Sequence, residues 1–209
     1  MKFYDFVGAP SPQRVRIFVA EKGLDLAVHQ VDLRAGEQFE SWYREINPRC
    51  TVPALALEDG AVLTESEAIC RYLEVRHPQP ALFGETALEQ ARVIESCRRL
   101  ELEGYLAVAD VLRNSAEHFK DRALPGPQPV AQIPALVERG KARLELFFKM
   151  LNQAMQGREF LAIDRLSLAD IYAFVAVEFS RRIQMQPGAE LQHLQQWLDR
   201  LRARPAFQA

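Results

Sequence analysis

Two short stretches of the sequence carry groups that could hold a peptide-like ligand. In "TVPAL", Pro53 opens an apolar strand pattern, and a proline at the start of a strand is a position where a cis peptide bond is tolerated. A cis Val52–Pro53 bond would leave the main chain of Val52 to pair with an extended ligand, as an added strand does. An ordinary trans proline at the start of an edge strand is the alternative interpretation.

The second stretch, "LTESEAI", places Glu65 and Ser66 at the start of a predicted helix. The first N–H groups of a helix and its dipole favour a carboxylate, whereas a neighbouring glutamate favours an ammonium group. Glu65 and Ser66 together could therefore hold the head group of an α-amino acid. Capping of the helix by Ser66 or Thr64 is the alternative.

The composition is that of an ordinary globular protein and limits the function. The 209 residues are 48% hydrophobic and 26% charged, with a net charge of -2, and the basic residues are scattered along the chain. We therefore expect no nucleic-acid partner and no membrane partner. The three cysteines show no CxxC spacing, which predicts reduced thiols and no bound metal. The N-terminus shows no signal-peptide pattern, so we expect a cytoplasmic protein.

The hydrophobic periodicity changes near residue 80 and predicts two domains. Residues 1–78 alternate between strand-like and helical stretches in the order β-α-β-α-β-β-α, with Asp59-Gly60 as the turn of a hairpin. A proline-rich linker covers 79–85, and the pattern over 86–209 is helical almost throughout. The predicted helices of this second domain cover 88–119, 130–155, 167–182 and 191–202.

The sequence "SLAD" in the second domain predicts a structural device rather than a site. Ser167 and Asp170 stand three residues apart at the start of a helical pattern. Each side chain can then accept a hydrogen bond from the main-chain N–H of the other residue. We therefore expect a capping box at this position.

Four stretches, in this order along the chain, resemble the glutathione transferase family. "NPRCTVPAL" is similar to the family's NPxGxVPxL, "LTESEAICRYLE" to its acidic-serine helix start, "FLAIDRLSLADIYAF" to the motif of its helical domain, and "WLDRLRARPAF" to its C-terminal helix. The resemblance covers almost the whole chain. It implies an α/β thioredoxin-like N-terminal domain followed by an all-α helical C-terminal domain, a homodimer, and glutathione as cosubstrate.

The resemblance also implies which residues contact glutathione. Val52 would pair through its main chain with the cysteinyl part, and Glu65 and Ser66 would take the γ-glutamyl amine and carboxylate. Gln38 and Arg49 are competing candidates for the glycyl carboxylate, and for Gln38 a solvated helix face is the alternative. The implied glutathione-binding residues are Val52, Pro53, Glu65, Ser66, Gln38 and Arg49.

The group that activates the thiol stays open. Family members lower the pKa of the glutathione thiol with a tyrosine or serine hydroxyl, or use a cysteine, and the spacing back from "EKGL" puts that position at Ala9, which has no donor. Ser11 stands directly before Pro12, which favours helix capping over catalysis. The sequence resembles an atypical branch, a fungal member included, in which the thiolate rests on the helix N-terminus. Asn114 and Ser115 would then hold a water, so Ser11, Asn114 and Ser115 are the catalytic candidates.

These assignments predict a glutathione transferase that conjugates the glutathione thiolate to small electrophiles, as in detoxification. The expected electrophile pocket is apolar. Two alternatives stay open: a catalytically weak member of the fold that binds glutathione or other proteins, and a glutathione-dependent reductase or peroxidase. The expected pocket residues are Val7, Gly8, Ala9, Tyr105, Ala109 and Leu112.

Overall fold

The computed structural model describes residues 1–208, and their packing divides the chain into two compact units. The first unit contains residues 1–80 and the segment 124–128, and the second contains residues 81–123 and 129–208. The first is built around a small sheet and the second from helices. The predicted fold class, an α/β domain followed by a helical domain, is confirmed.

Four short strands form a mixed sheet in the order β2-β1-β3-β4. They are β1 (Lys2–Asp5), β2 (Ala27–Gln30), β3 (Ala54–Ala56) and β4 (Val62–Leu63). β1 pairs in parallel with β2 and antiparallel with β3, and β3 pairs antiparallel with β4. The predicted hairpin is confirmed between β3 and β4, where Gly60 adopts a φ of 88° that suits glycine.

Both faces of this sheet are covered. Phe3 and Tyr4 are neighbours in β1 and therefore point to opposite faces, and both are buried. Helices α1 (Pro10–Glu21) and α3 (Ser66–Arg76) pack against each other, while the short α2 (Ser41–Ile46) contributes Tyr43 to a cluster with Tyr4. The sheet thus holds α1 and α3 in fixed positions.

A buried lysine ties the end of α1 to the end of α3. The ammonium group of Lys22 donates to the carbonyl oxygens of His77 at 2.6 Å and Pro80 at 2.7 Å. It also lies 2.7 Å from the carboxylate of Glu74, and the Lys22 side chain is 0% exposed. The buried ammonium thus has two carbonyl acceptors and one carboxylate as partners.

The second unit is built from α4 (Ala87–Leu100), α5 (Leu106–Ser115), α6 (Ala135–Ala154), α7 (Leu168–Ser180) and α8 (Gln192–Arg202). α7 is apolar on all sides and almost entirely buried, so it forms the centre of the unit. The predicted capping box at its start is confirmed. The Asp170 carboxylate accepts from the N–H and the hydroxyl of Ser167, from the N–H of Leu161 and from the indole N–H of Trp197.

Two helix boundaries differ from the prediction. The predicted helix 88–119 is interrupted by a π-helical turn, Glu101–Tyr105, between α4 and α5. At this turn, a Cβ on Gly104 would collide with the ring of Phe147, so the close packing of α6 requires glycine. The next helix begins at Ala135 rather than at 130, because Pro134 disfavours helical backbone in the residue before it.

The start of α4 predicts a pH effect on stability. The carboxylate of Glu89 accepts from the N–H groups of Glu85 at 2.8 Å and Thr86 at 3.1 Å and from the Arg165 guanidinium at 2.7 Å. These hydrogen bonds, the one from Glu85 first, lower the pKa of Glu89 from 4.5 to about 2. Because the folded-state pKa is depressed, the stabilisation is present above pH 4.5 and is lost as the pH falls towards 2.

We therefore expect Glu89→Gln to be less stable than the parent protein at neutral pH, with a gap that closes between pH 4.5 and about 2. Urea denaturation at a series of pH values measures this gap. Glu145→Gln, on an exposed part of α6, is the control and should show no such trend. A gap for Glu89→Gln that does not change with pH would contradict the assignment.

Candidate functional site

The sheet register brings the two stretches singled out in the sequence to the same end of the first unit. Leu55 pairs with Leu63 across the hairpin, so the residues just before β3 and just after β4 lie at one end of the sheet. Tyr4 pairs with Ala54, which puts the loop after β1 and the start of α1 at that end as well. Val52, Glu65 and the first turn of α1 are therefore neighbours in the fold.

A buried asparagine supports the loop that leads into Val52. Asn47 is fully buried; its amide NH2 donates to the carbonyl oxygen of Thr51 at 2.7 Å, and its amide oxygen accepts from the N–H of Arg49 at 3.0 Å. The hydroxyl of Tyr43 donates to the same Thr51 carbonyl at 2.6 Å. Sequence reasoning missed both supporting residues, although asparagine before proline is a turn signal that could have identified Asn47.

The main chain of Val52 is available for pairing. The Val52–Pro53 bond is cis, so the trans alternative is wrong, and Pro53 is buried. Within residues 1–208, neither the N–H nor the carbonyl of Val52 takes part in a hydrogen bond, and the residue is half-buried. An extended ligand can therefore pair with both groups as an added strand does.

Glu65 and Ser66 begin α3 without capping it. Glu65 is the N-cap residue and makes no side-chain cap, and the Ser66 hydroxyl donates instead to the carbonyl oxygen of Ser11 at 3.0 Å. Capping by Ser66 or Thr64, the alternative interpretation, is therefore wrong. The Glu65 carboxylate is largely exposed and lies 3.9 Å from the guanidinium of Arg49. This end of the site thus offers an anion, a cation and a helix N-terminus together.

Gln38 lies in a single 3-10 turn, Glu37–Phe39, and is only 3% exposed. Its buried amide oxygen has no hydrogen-bond partner within residues 1–208. Unpaired buried polar atoms are rare and call for an explanation. An amide oxygen is an acceptor, so a ligand N–H would satisfy it. Gln38 is therefore no solvated surface residue.

The structure corrects the position of Ser11. α1 begins at Pro10, its N-cap residue is Ala9, and no side chain caps it. Ser11 is the second helical residue rather than the N-cap, because Pro10 already has the backbone angle that a helix requires. Since Pro10 and Pro12 have no N–H, Ser11 alone supplies a main-chain N–H in this first turn. The carbonyl of Ser11 meets the start of α3 through Ser66.

Asn114 and Ser115, at the end of α5, are both used in main-chain contacts. The amide of Asn114 donates to the carbonyl of Asp110 and accepts from the N–H of Ile133, each at 2.8 Å. The Ser115 hydroxyl donates to the carbonyl of Val111 at 2.7 Å. These contacts hold α5 and the segment before α6 together, which is a structural use of both side chains.

The residues expected to line an electrophile pocket are divided between the two units. Val7, Gly8 and Ala9 form the loop before α1, and Val7 is 68% exposed. In the second unit, Tyr105, Ala109 and Leu112 are half-buried and follow one helical face, with the Tyr105 ring 5.3 Å from that of Phe179. Val7, Gly8 and Ala9 thus belong to the first unit, and Tyr105, Ala109 and Leu112 belong to the second.

Residues 1–208 contain neither a cluster suited to a metal ion nor a helix suited to crossing a membrane. Over residues 1–208, no cluster of three or more histidine, cysteine, aspartate or glutamate side chains is arranged to hold a metal ion. In the same range, no helix has the length and apolar character that crossing a membrane requires.

Comparison with known proteins identifies the family of this chain. A family model described as "Glutathione S-transferase, N-terminal domain" matches residues 9–76, and one described as "Glutathione S-transferase, C-terminal domain" matches residues 120–205. The crystal structure of a glutathione S-transferase domain-containing protein from Marinobacter aquaeolei superimposes with a TM-score of 0.89 at 33% identity, covering 99% of this chain and 100% of that one. The chain belongs to the glutathione transferase family.

Two similar curated proteins carry different names. Glutathione S-transferase 2 of Saccharomyces cerevisiae is 29% identical over 213 residues, which cover 99% of this chain and 87% of the yeast protein. Maleylacetoacetate isomerase of Pseudomonas aeruginosa is 44% identical over 94 residues, 44% of each chain. Both proteins share the fold of a glutathione-using enzyme with this chain, but their names describe different reactions.

Proposed function

We propose that the protein is a glutathione transferase that conjugates the glutathione thiolate to small electrophiles. The observation that carries this proposal is the arrangement at one end of the sheet: an unpaired Val52 main chain beside the Glu65–Ser66 start of α3. Main-chain pairing suits the cysteinyl part of a tripeptide, and the acidic helix start suits an α-amino-acid head group.

The remaining residues fit the two ends of glutathione. Arg49 lies beside Glu65, so we place its guanidinium with the γ-glutamyl carboxylate and the Glu65 carboxylate with the γ-glutamyl amine. The glycyl end of glutathione has an amide N–H, and a donor of this kind is what the buried amide oxygen of Gln38 lacks. The γ-glutamyl end of the tripeptide thus meets two charged side chains, whereas the glycyl end meets a buried neutral side chain.

We place the thiolate at the first turn of α1. A thiol with a pKa near 8.5 is only a few per cent ionised at pH 7. A hydrogen-bond donor or the helix dipole at the start of α1 would lower this pKa and raise the fraction of nucleophilic thiolate. With proline on both sides, Ser11 supplies the main-chain N–H of this turn. Its hydroxyl is the side-chain donor closest to this N–H along the sequence. Asn114 and Ser115 are weaker candidates because their side chains already bind main-chain groups.

In the proposed reaction a lone pair of the thiolate sulfur forms a bond to an electrophilic carbon. The bond between that carbon and its leaving group breaks, and the electron pair of this bond departs with the leaving group. We expect the electrophile to be small and apolar, because the residues assigned to its binding are mostly apolar. Isomerisation is the second candidate, supported by the likeness to the Pseudomonas isomerase. In that reaction the thiolate adds to a double bond and leaves again, so no glutathione remains in the product. We also propose a homodimer, on the family resemblance alone.

Isothermal titration calorimetry tests the site. We expect the parent protein to bind glutathione, and Glu65→Gln to bind it about tenfold more weakly, because a hydrogen-bonded charge partner is removed. Glu45→Gln, on the exposed surface of α2, is the matched control and should bind like the parent protein. Absence of binding to the parent protein would overturn the proposal. Mass spectrometry of the turnover products then separates conjugation from isomerisation.

A further inference from the structure

A closed ring of four hydrogen bonds surrounds the loop before α1. The buried carboxylate of Asp5 accepts from the Arg16 guanidinium at 2.6 Å and from the amide NH2 of Gln30 at 2.9 Å. The same two side chains then bind one residue of the loop. Arg16 donates to the carbonyl oxygen of Val7 at 3.1 Å, and the Gln30 amide oxygen accepts from the N–H of Val7 at 3.1 Å.

The ring holds an exposed residue at both of its main-chain groups. The Val7 residue is 68% exposed and contributes little to the core, whereas Asp5 is 1% exposed and the Arg16 side chain only 15%. Asp5 lies in β1, Gln30 in β2 and Arg16 in α1. The position of the Val7 peptide therefore depends on all three elements. A buried ionised pair costs desolvation and is weak evidence for stability alone. Fixing a geometry is the better explanation of this ring.

The fixed peptide is connected to the start of α1 by a tight turn. The N–H of Ala9, the N-cap residue of α1, donates to the carbonyl of Phe6 at 2.7 Å. A Cβ on Gly8 would lie 2.8 Å from the Phe6 ring, so a larger residue does not fit this turn without a shift of Phe6. The Val7 peptide lies inside this hydrogen-bonded turn, and Ser11 follows Ala9 two residues later in α1.

We propose that Arg16 and Gln30 are positioning residues for the thiol: acting through Val7, they hold the first turn of α1 where it stabilises the glutathione thiolate. This inference rests on the proposed function. Neither side chain touches the groups assigned to glutathione, namely Val52, Glu65 and Gln38. The ring should therefore affect thiol ionisation and turnover more than tripeptide binding.

The test compares Arg16→Gln with the parent protein in three measurements. We expect kcat for conjugation to fall about 10- to 100-fold, the loss typical of a misplaced reacting group. The ultraviolet absorbance of the bound thiolate should appear at higher pH than in the parent protein. The calorimetric Kd for glutathione should change less than threefold. Arg16→Lys should restore the thiolate titration in part. A lysine ammonium can reach one of the two acceptor oxygens, on Asp5 or on Val7, but it lacks the planar guanidinium that binds both at once.

Two further variants separate positioning from a loss of stability. Arg202→Gln removes an arginine that donates to Glu178 at 2.6 Å in the second unit, and it should leave kcat and the thiolate titration unchanged. Gln30→Ala, at an exposed position, removes the other half of the ring and should reproduce the titration shift. If the parent protein binds and turns over glutathione but Arg16→Gln and Gln30→Ala titrate like it, the inference is wrong and the proposed function stands. If the parent protein does not bind glutathione, the proposed function is wrong.

Discussion

Replacing Asp170 by alanine is expected to lower the free energy of unfolding by about 4 kcal/mol, since each buried donor left without an acceptor costs about 1–3 kcal/mol. The carboxylate accepts from four donors that converge on the start of α7. Alanine would leave the N–H groups of Ser167 and Leu161 and the indole of Trp197 without that acceptor. Burial raises the pKa of the Asp170 carboxyl, and the hydrogen bonds act against this rise.

Urea denaturation of Asp170→Ala measures the loss, and two variants control it. Asp164→Ala removes an exposed carboxylate from the same segment and should change the free energy of unfolding by less than about 0.5 kcal/mol. Asp170→Asn keeps the shape and one acceptor oxygen but turns an NH2 group towards Ser167, so we expect an intermediate loss. A loss below about 1 kcal/mol for Asp170→Ala would show that the convergent hydrogen bonds contribute little.

Lys22→Met is the second substitution with a large expected effect. The variant keeps an unbranched side chain, one heavy atom shorter, but removes the lysine cation that lies 2.7 Å from the buried Glu74 carboxylate. The carbonyl oxygens of His77 and Pro80 lose a donor as well. We expect a loss of about 3–5 kcal/mol in the free energy of unfolding, the range found when one partner of a buried ion pair is removed.

A double-mutant cycle separates the charge from the packing. Lys22→Met combined with Glu74→Leu removes both charges, and this variant should be more stable than Lys22→Met alone. Thermal and urea unfolding of the two single variants and the double variant supply the coupling energy. Equal stability of Lys22→Met and the double variant would mean that the unpaired carboxylate is not what destabilises the single variant.

The features that the sequence predicted correctly depend on neighbouring residues. The hairpin at Asp59-Gly60 and the Ser167–Asp170 capping box each need only a few consecutive side chains of fixed chemistry. Glu65 and Ser66 were placed correctly at the start of α3 for the same reason. The misplaced residue, Ser11, shows the limit of such local signals, because Pro10 and Pro12 are equally able to begin a helix.

The features that the sequence did not predict depend on residues far apart in the chain. The π-helical turn is associated with the packing of Gly104 against Phe147, and no periodicity within α4 reveals a contact with α6. The ring that holds Val7 joins Asp5, Arg16 and Gln30 from three different elements. A polar residue on a strand or helix gives no sign of such a partner until the fold brings the elements together.

The first unit is discontinuous in sequence, and this affects the order in which it can be completed in the cell. Residues 124–128 pack with residues 1–80, yet the ribosome must add residues 81–123 before making them. At about 5–20 residues per second, this delay lasts seconds, much longer than a helix or hairpin needs to form. The nascent chain therefore carries an unfinished first unit while it is already producing helices of the second, and the proposed glutathione site is assembled on a scaffold that receives its last segment late.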